Sequence, residues 1–160
     1  MFEILMVCTG NICRSPMAAG LLRHLMPPKL QNRISVSSGG TNAIHGHQAA
    51  PMAVEAMSRL GIDISHHRAR QLDRDMVRRA GFILTMEQYH LNVVRRMLRW
   101  SKSHAKLLTD FGPALEGSEV EDPYGGPLES YLLCIEIMRP CIVALVEELD
   151  DVFTSIGKKI

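Results

Sequence analysis

Short apolar runs alternate with amphipathic stretches along most of the chain. The apolar runs of strand length cover residues 2–7, 33–37, 82–85 and, more weakly, 105–108. Apolar residues recur at helical spacing over residues 16–26, 51–60, 72–80, 87–99 and 127–149. Apolar runs separated by helices are typical of parallel strands that are covered on both faces. The pattern predicts a single-domain α/β fold, an open four-stranded parallel sheet with helices on both faces.

The stretch VCTGNICRSPMA, which follows the first strand, joins a small glycine-containing turn to the start of a helix. Such a turn collects unpaired backbone N–H groups at the positive end of a helix dipole, so it suits a tetrahedral oxyanion. We expect Ser15 to cap this helix and Pro16 to be its first residue. The stretch lacks the ending of a Walker nucleotide loop, so it predicts a phosphate-binding loop of another kind.

Cys8 begins this turn, and Arg14 follows it six residues later. A helix dipole and a neighbouring guanidinium favour the thiolate of a cysteine, which is its nucleophilic form. An arginine fork can bind two oxygens of a phosphoryl group and neutralise the charge on them. The same spacing arises by chance in a buried structural cysteine and a surface arginine. The strand before the turn and the helix after it favour the catalytic interpretation.

Composition and charge limit the kinds of partner and cofactor that this chain is expected to bind. The 160 residues are 46% hydrophobic, which is enough for one domain with a core. The formal net charge of +1 gives no general attraction to nucleic acid or to an anionic membrane, so we expect neither as a partner. Four cysteines without a secretory leader or a disulfide pattern predict a cytoplasmic protein. No residues occur at zinc-ligand spacing, so we expect no metal and no other cofactor.

Several separated blocks resemble the low-molecular-weight protein tyrosine phosphatases, the bacterial members in particular. Beside VCTGNICRSPMA they are VSSGGT (36–41), HRARQL (67–72), ILTMEQYH (83–90) and DPYGG (122–126), in the family's order. The resemblance implies a phosphatase domain over residues 1–150 and a C-terminal tail over 151–160. It also implies hydrolysis of phosphotyrosine through a phosphocysteine, with Cys8 as nucleophile, Arg14 binding the phosphate and Asp122 as general acid and then base. Without the resemblance, Asp122 would be read as a turn residue before a proline.

The resemblance implies roles for further residues around the loop. Those expected to bind substrate are Thr9, Gly10, Asn11, Ile12, Cys13, Ser15, Ile44 and Tyr124. Ser38 and His67 would support the loop from behind, although His67 also fits a surface residue or half of a metal-binding pair. Cys13 would form a disulfide with Cys8 on oxidation, or would simply pack. Gly125 replaces an aromatic residue of many members, which thins one wall of the cleft.

Three other functions stay open. An arginine phosphatase of the same family carries threonine after the loop asparagine, whereas this chain has Ile12, which favours phosphotyrosine. Arsenate reductases share the loop but use cysteines near the middle of the chain, and none lies between Cys13 and Cys134. An idle phosphate-binding module would need neither a nucleophile nor a general acid. The resemblance suggests as partner an autophosphorylating tyrosine kinase of polysaccharide export.

The last predicted helix carries Pro140 in a segment that is apolar on more than one face. Its missing N–H and its ring predict a kink or a break over residues 137–140. The apolar stripe is wider than one side of a sheet needs. We therefore expect part of residues 131–138 to contact loops beside the active site or another subunit, which makes the chain a monomer or a weak homo-oligomer.

Overall fold

The structure, a computed structural model, describes residues 1–98, 104–113, 115 and 117–157. Its strands are β1 (Phe2–Cys8), β2 (Ile34–Gly40), β3 (Phe82–Thr85) and β4 (His104–Leu107). Its helices are α1 (Arg14–Leu25), α2 (Pro28–Gln31), α3 (Pro51–Ser58), α4 (Arg74–Arg79), α5 (Gln88–Met97) and α6 (Leu128–Gly157), with a 3-10 turn at Leu108–Phe111. Every predicted strand and helix has a counterpart, and the short α2 is an element that the pattern did not predict.

The four strands form one parallel sheet in the order β2-β1-β3-β4. Ile4 and Met6 of β1 belong to the larger core, under α1, α3 and α6, whereas Leu5 and Val7 belong to the smaller core, under α4 and α5. Helices therefore cover both faces, and the predicted fold class is confirmed. Because the strands are parallel, their carboxyl ends meet at one edge, and β1 ends there at Cys8.

The second strand is longer than predicted, because β2 continues to Gly40. A Cβ atom at Gly40 would lie 2.4 Å from the carbonyl oxygen of Thr9 and 2.9 Å from the backbone nitrogen of Asn11. The turn after β1 thus packs directly on the backbone of β2, which only glycine permits. The neighbouring strand is in this way part of the support for the predicted phosphate loop.

The first helix begins earlier than predicted, at Arg14, and the expectation that Ser15 caps it is wrong. Cys13 is the N-cap residue and forms no side-chain cap hydrogen bond. The Ser15 hydroxyl instead lies 2.9 Å from the Cys8 sulfur and accepts a hydrogen bond from Asn11 Nδ2 at 2.8 Å. Partners within the loop compete successfully with the helix N–H groups for this hydroxyl.

The last helix, α6, runs without interruption from Leu128 to Gly157, so the predicted break near Pro140 is wrong. Pro140 removes the donor for the carbonyl of Glu136, but both residues are exposed and water can satisfy that oxygen. A kink there stays a prediction. The domain boundary at residue 150 also stays a prediction, and α6 crosses it, with Phe153 packed edge-on against Phe2 at 5.9 Å between ring centroids.

Candidate active site

The phosphate loop, residues 8–13, joins the end of β1 to α1, and two hydrogen-bonding groups contact the sulfur of its candidate nucleophile, Cys8. The Cys8 sulfur accepts a hydrogen bond from the backbone N–H of Asn11 at 3.3 Å and lies 2.9 Å from Ser15 Oγ. Cys8 is 2% exposed. Hydrogen-bond donors directed at a sulfur stabilise its negative charge. The geometry therefore suits a thiolate that is presented inside the loop.

Asn11 is the centre of the phosphate loop. Its φ of 54° is the only positive value among the non-glycine residues that the structure describes. Its amide nitrogen donates to Ser15 Oγ at 2.8 Å and Ser38 Oγ at 2.9 Å, and its amide oxygen accepts from the backbone N–H of Arg70 at 2.8 Å. These bonds fix a backbone conformation that L-residues rarely adopt. Asparagine tolerates a left-handed backbone better than most residues, and Asn11 adopts it here, while Ser38 lies behind the loop where the resemblance placed it.

His67 contacts the phosphate loop from the same side. Its Nε2 lies 2.6 Å from the carbonyl oxygen of Asn11. Because a carbonyl only accepts hydrogen bonds, Nε2 carries the hydrogen and donates it. Burial lowers the pKa of His67, and the hydrogen bond to Asn11 opposes that shift. His67 is thus a neutral donor at neutral pH.

Arg14 lies beneath the phosphate loop with its side chain only 2% exposed. One guanidinium nitrogen, Nη1, pairs with Glu87 and donates to the carbonyl of Val120 at 2.9 Å. The other, Nη2, lies 3.3 Å from Asp122 Oδ2 and 3.4 Å from Thr9 Oγ1. The third nitrogen, Nε, is buried and has no hydrogen-bond partner among the described residues. Buried donors are almost always satisfied in native proteins, so Nε is free to bind an acceptor that enters the loop.

Glu87 and His90 complete a second layer that sequence reasoning missed. Glu87 caps α5, and its backbone N–H donates to His90 Nδ1 at 3.1 Å. Nε2 of His90 then carries the ring hydrogen and lies 2.8 Å from Thr9 Oγ1. Burial lowers the pKa of His90 to about 4, so the ring is neutral at neutral pH. The sequence feature that could have indicated these two residues is the start of α5 in the block ILTMEQYH, where the structure has a capping box with histidine in the third helical position.

The acid loop, residues 119–126, carries Asp122 to the phosphate loop. The Asp122 side chain is 47% exposed, so it contacts Arg14 and still faces solvent. Prolines, glycines and acidic residues follow one another closely over residues 110–126 and predict a surface loop, but this prediction is wrong at Val120, which is fully buried. Burial of Val120 brings its carbonyl to Arg14, and its N–H donates to the carbonyl of Met86 at 2.9 Å.

The two predicted substrate contacts outside the loop are exposed apolar side chains. Tyr124 is 68% exposed, and its N–H donates to Asp122 Oδ1 at 3.2 Å. Ile44 is 64% exposed and follows Thr41 and Asn42, whose N–H groups donate to the carbonyls of Cys8 and Thr9. Gly125 has a φ of 79°, a conformation in which an aromatic residue would be strained.

The remaining predicted loop residues differ in their surroundings. Gly10 and Ile12 are partly exposed, and the carbonyl of Ile12 accepts from the N–H of Ala50 at 2.8 Å. Cys13 is buried, and its sulfur lies 3.7 Å from the hydroxyl of Tyr131. Burial raises the pKa of Cys13 to about 12, so this thiol is protonated at neutral pH. All the predicted loop residues therefore lie at one site, but only Cys8 presents its sulfur inside the loop.

Among the residues that the structure describes, no group of three or more His, Cys, Asp or Glu side chains has the arrangement of a metal site. None of the helices described is both long and apolar enough to cross a membrane.

Known proteins are similar to this chain in sequence and in fold. The family model described as low molecular weight phosphotyrosine protein phosphatase matches residues 3–155. A probable low molecular weight protein-tyrosine-phosphatase EpsP of Ralstonia nicotianae is 39% identical over 147 residues, which cover 91% of this chain and 94% of that protein. A protein-arginine-phosphatase of Geobacillus stearothermophilus is 33% identical over 148 residues, covering 92% and 96%.

Solved structures agree with these relatives. The YwlE arginine phosphatase from Geobacillus stearothermophilus superposes with a TM-score of 0.86 at 32% identity, covering 97% of each chain. The tyrosine phosphatase Wzb from Escherichia coli K30, solved in complex with sulphate, superposes with a TM-score of 0.81 at 28% identity, covering 93% of this chain and 99% of that one. The chain therefore belongs to the low molecular weight phosphotyrosine protein phosphatase family, with bacterial proteins among its relatives.

Proposed function

We propose that this enzyme hydrolyses phosphotyrosine in proteins through a phosphocysteine intermediate on Cys8. The observation that carries the proposal is the buried, unpartnered Nε of Arg14 beneath a loop that presents the Cys8 sulfur. An equatorial phosphoryl oxygen supplies the acceptor that this nitrogen lacks, and Arg14 neutralises the charge on it. The backbone N–H groups of the phosphate loop, from Thr9 to Cys13, and the N-terminus of α1 bind the other oxygens.

The reaction has two steps. The Cys8 thiolate attacks phosphorus, the S–P bond forms, and the P–O bond to the tyrosine breaks while Asp122 donates a proton to the leaving oxygen. Water then attacks the phosphocysteine, Asp122 accepts a proton from it, the S–P bond breaks and inorganic phosphate leaves. General acid–base catalysis of this kind contributes about 10²–10⁴-fold. The contact of Asp122 with Arg14 and its partial exposure suit both of its roles.

The supporting residues keep the loop ready for this reaction. Asn11, Ser15, Ser38 and His67 stabilise the loop and its thiolate through the hydrogen bonds described above. Preorganised donors stabilise the transition state without the cost of reorganising during the reaction. The exposed side chains of Ile44 and Tyr124 offer apolar surface to the phenyl ring.

Protein phosphoarginine is the second candidate substrate. It is favoured by the similarity to the YwlE arginine phosphatase, at a TM-score of 0.86. Against it stands Ile12, which occupies the position where the resemblance expects threonine in arginine phosphatases. We therefore rank phosphotyrosine first, and an autophosphorylating tyrosine kinase of polysaccharide export, suggested by the resemblance alone, as the partner. We place the enzyme in the cytoplasm on the sequence evidence.

Paired peptides test this ranking. Two peptides of one sequence, one carrying phosphotyrosine and the other phosphoarginine, are compared by their kcat/KM values with wild type, Ile12→Thr and Cys8→Ser. Arsenate reduction is measured alongside. We expect wild type to prefer phosphotyrosine, Ile12→Thr to narrow the preference, and Cys8→Ser to bind phosphate without turnover. A wild-type preference for phosphoarginine would reverse the ranking. Turnover by Cys8→Ser would remove the mechanism.

A further inference from the structure

Two buried side chains of α6 contact the two loops of the site, Cys134 the acid loop and Tyr131 the phosphate loop. Cys134 donates from its sulfur to the carbonyl oxygen of Glu121 at 3.3 Å. Tyr131 lies three residues earlier on the same face of the helix. Tyr131 is 2% exposed and Cys134 is 4% exposed. The residue directly before Asp122 is thus bound to a rigid helix that also contacts the phosphate loop.

The hydroxyl of Tyr131 also contacts the phosphate loop. It accepts from the Cys13 sulfur at 3.7 Å, so the helix that binds the acid loop through Cys134 also contacts the phosphate loop. Burial raises the pKa of Tyr131, and the neighbouring charges of Cys13 and Asp122 act in the same direction. Because burial also raises the pKa of Cys13, this contact is uncharged at neutral pH. It can therefore fix a distance without adding negative charge beside the phosphate.

The rest of the acid loop is held mainly before Asp122. The N–H of Val120 donates to the carbonyl of Met86, and Glu119 accepts from the N–H of Gln88 at 2.8 Å. After Asp122, the described backbone contact is a local one, from the N–H of Gly126 to the carbonyl of Pro123 at 2.9 Å. Cys134 therefore supplies the anchor nearest to Asp122, and Tyr131 relates the same helix to the phosphate loop.

We propose that Tyr131 and Cys134 are positioning residues that set the place of the Asp122 carboxyl relative to the phosphate loop. The inference rests on the proposed role of Asp122 as the general acid. A misplacement of about 1 Å can cost on the order of 10²-fold in rate, so small shifts of the loop are sufficient. The effect is specific: it acts on proton transfer and leaves thiolate attack and phosphate binding in place.

A series of aryl phosphates tests this specificity, since the need for a proton rises with the basicity of the leaving phenol. We expect Tyr131→Phe to lower kcat/KM about tenfold with phenyl phosphate and less than about twofold with dinitrophenyl phosphate. Tyr89→Phe, at an exposed tyrosine, is the matched control and is expected to match wild type. Cys134→Ala is expected to show a smaller loss of the same kind, which Cys134→Ser restores. Cys141→Ala, at a buried cysteine of the same helix, serves as its control.

Asp122→Asn, measured in the same series, separates the inference from the function on which it rests. In the first case, Asp122→Asn loses activity mainly with basic leaving groups, so Asp122 is the general acid. If Tyr131→Phe then loses activity equally with all leaving groups, or loses none, the positioning role is overturned. If Asp122→Asn itself loses activity equally with all leaving groups, the general acid is assigned wrongly and the positioning role fails with it. Binding of inorganic phosphate unchanged in Tyr131→Phe shows that the phosphate loop is intact.

Discussion

Replacing Asn11 by alanine tests whether the phosphate loop is held by one buried side chain. The substitution removes the two hydrogen bonds from its amide nitrogen and leaves the partly buried N–H of Arg70 without the amide oxygen. Each lost bond costs about 1 kcal/mol, and an unsatisfied buried donor costs about 1–3 kcal/mol. Alanine at a φ of 54° adds about 1 kcal/mol of backbone strain.

We therefore expect Asn11→Ala to lower the free energy of unfolding by about 4–6 kcal/mol, measured by urea denaturation. Asn11→Gly loses the same bonds but adopts the left-handed backbone freely, so it is expected to be about 1 kcal/mol more stable than Asn11→Ala. Ser38→Ala removes one of the bonds and is expected to cost about 1 kcal/mol. Asn92→Ala, at an exposed residue, is the control and is expected to change stability by less than about 0.5 kcal/mol.

The same variants link stability to activity. Because Asn11 sets the backbone that surrounds the Cys8 sulfur, Asn11→Ala is expected to lower kcat/KM for an aryl phosphate by at least about tenfold. A free energy of unfolding within about 1 kcal/mol of wild type would show that the hydrogen bonds of Asn11 contribute little net stability. Equal stabilities of Asn11→Ala and Asn11→Gly would refute the strain assigned to this position.

Further predictions concern titration, reactivity and the last helix. The free energy of unfolding is expected to fall as the pH drops from 6.5 toward 4, since His90 takes up a proton at a higher pH in the unfolded chain than in the folded protein. If His90→Asn loses as much stability over this pH range as wild type, the prediction is contradicted. Iodoacetamide at neutral pH is expected to modify Cys8 and spare Cys13, whose pKa burial raises to about 12, as read by peptide mass spectrometry; early labelling of Cys13 would oppose the assignment. Peroxide inactivation is expected to be reversed by dithiothreitol in wild type, and less completely in Cys13→Ser, if Cys13 forms a disulfide with Cys8; equal recovery would make Cys13 a packing residue. Pro140→Ala is expected to raise the free energy of unfolding by about 1 kcal/mol or more, because the Glu136 carbonyl regains a helical donor; an unchanged value would mean that water satisfies this carbonyl equally well.

Features that depend on local pattern could be predicted from the sequence. A strand covered on both faces must be apolar throughout, and residues 4–7 of β1 are fully buried. Asn11 has a side chain that tolerates a left-handed backbone, and this backbone is found. Ser15 shows the limit of such reasoning. Its type favours a helix cap, but the Cys8 sulfur and Asn11, brought close by the turn, are its partners instead.

Features that depend on distant segments could not be predicted in this way. Val120 is one apolar residue in a polar loop, and only the tertiary fold shows that it is buried and that its carbonyl meets Arg14. Tyr131 fits an ordinary core position of an apolar helix, and nothing in its spacing shows that its hydroxyl contacts Cys13 of the phosphate loop. Glu87 lies in the block ILTMEQYH, which resembles the family, but its ion pair with Arg14 joins residues far apart in sequence. Long-range contacts leave no periodic signal, so these roles emerge only from coordinates.

Rapid acid quenching during turnover distinguishes covalent from direct hydrolysis. Enzyme mixed with an excess of a phosphotyrosine peptide is quenched within the first turnover, digested and mapped by mass spectrometry. Because the thiolate of Cys8 is the proposed nucleophile, we expect one phosphoryl group on the peptide that contains Cys8, and none in Cys8→Ala, whose side chain cannot accept one. A phosphoryl group on another residue, or turnover that leaves every peptide unmodified, would contradict the phosphocysteine mechanism.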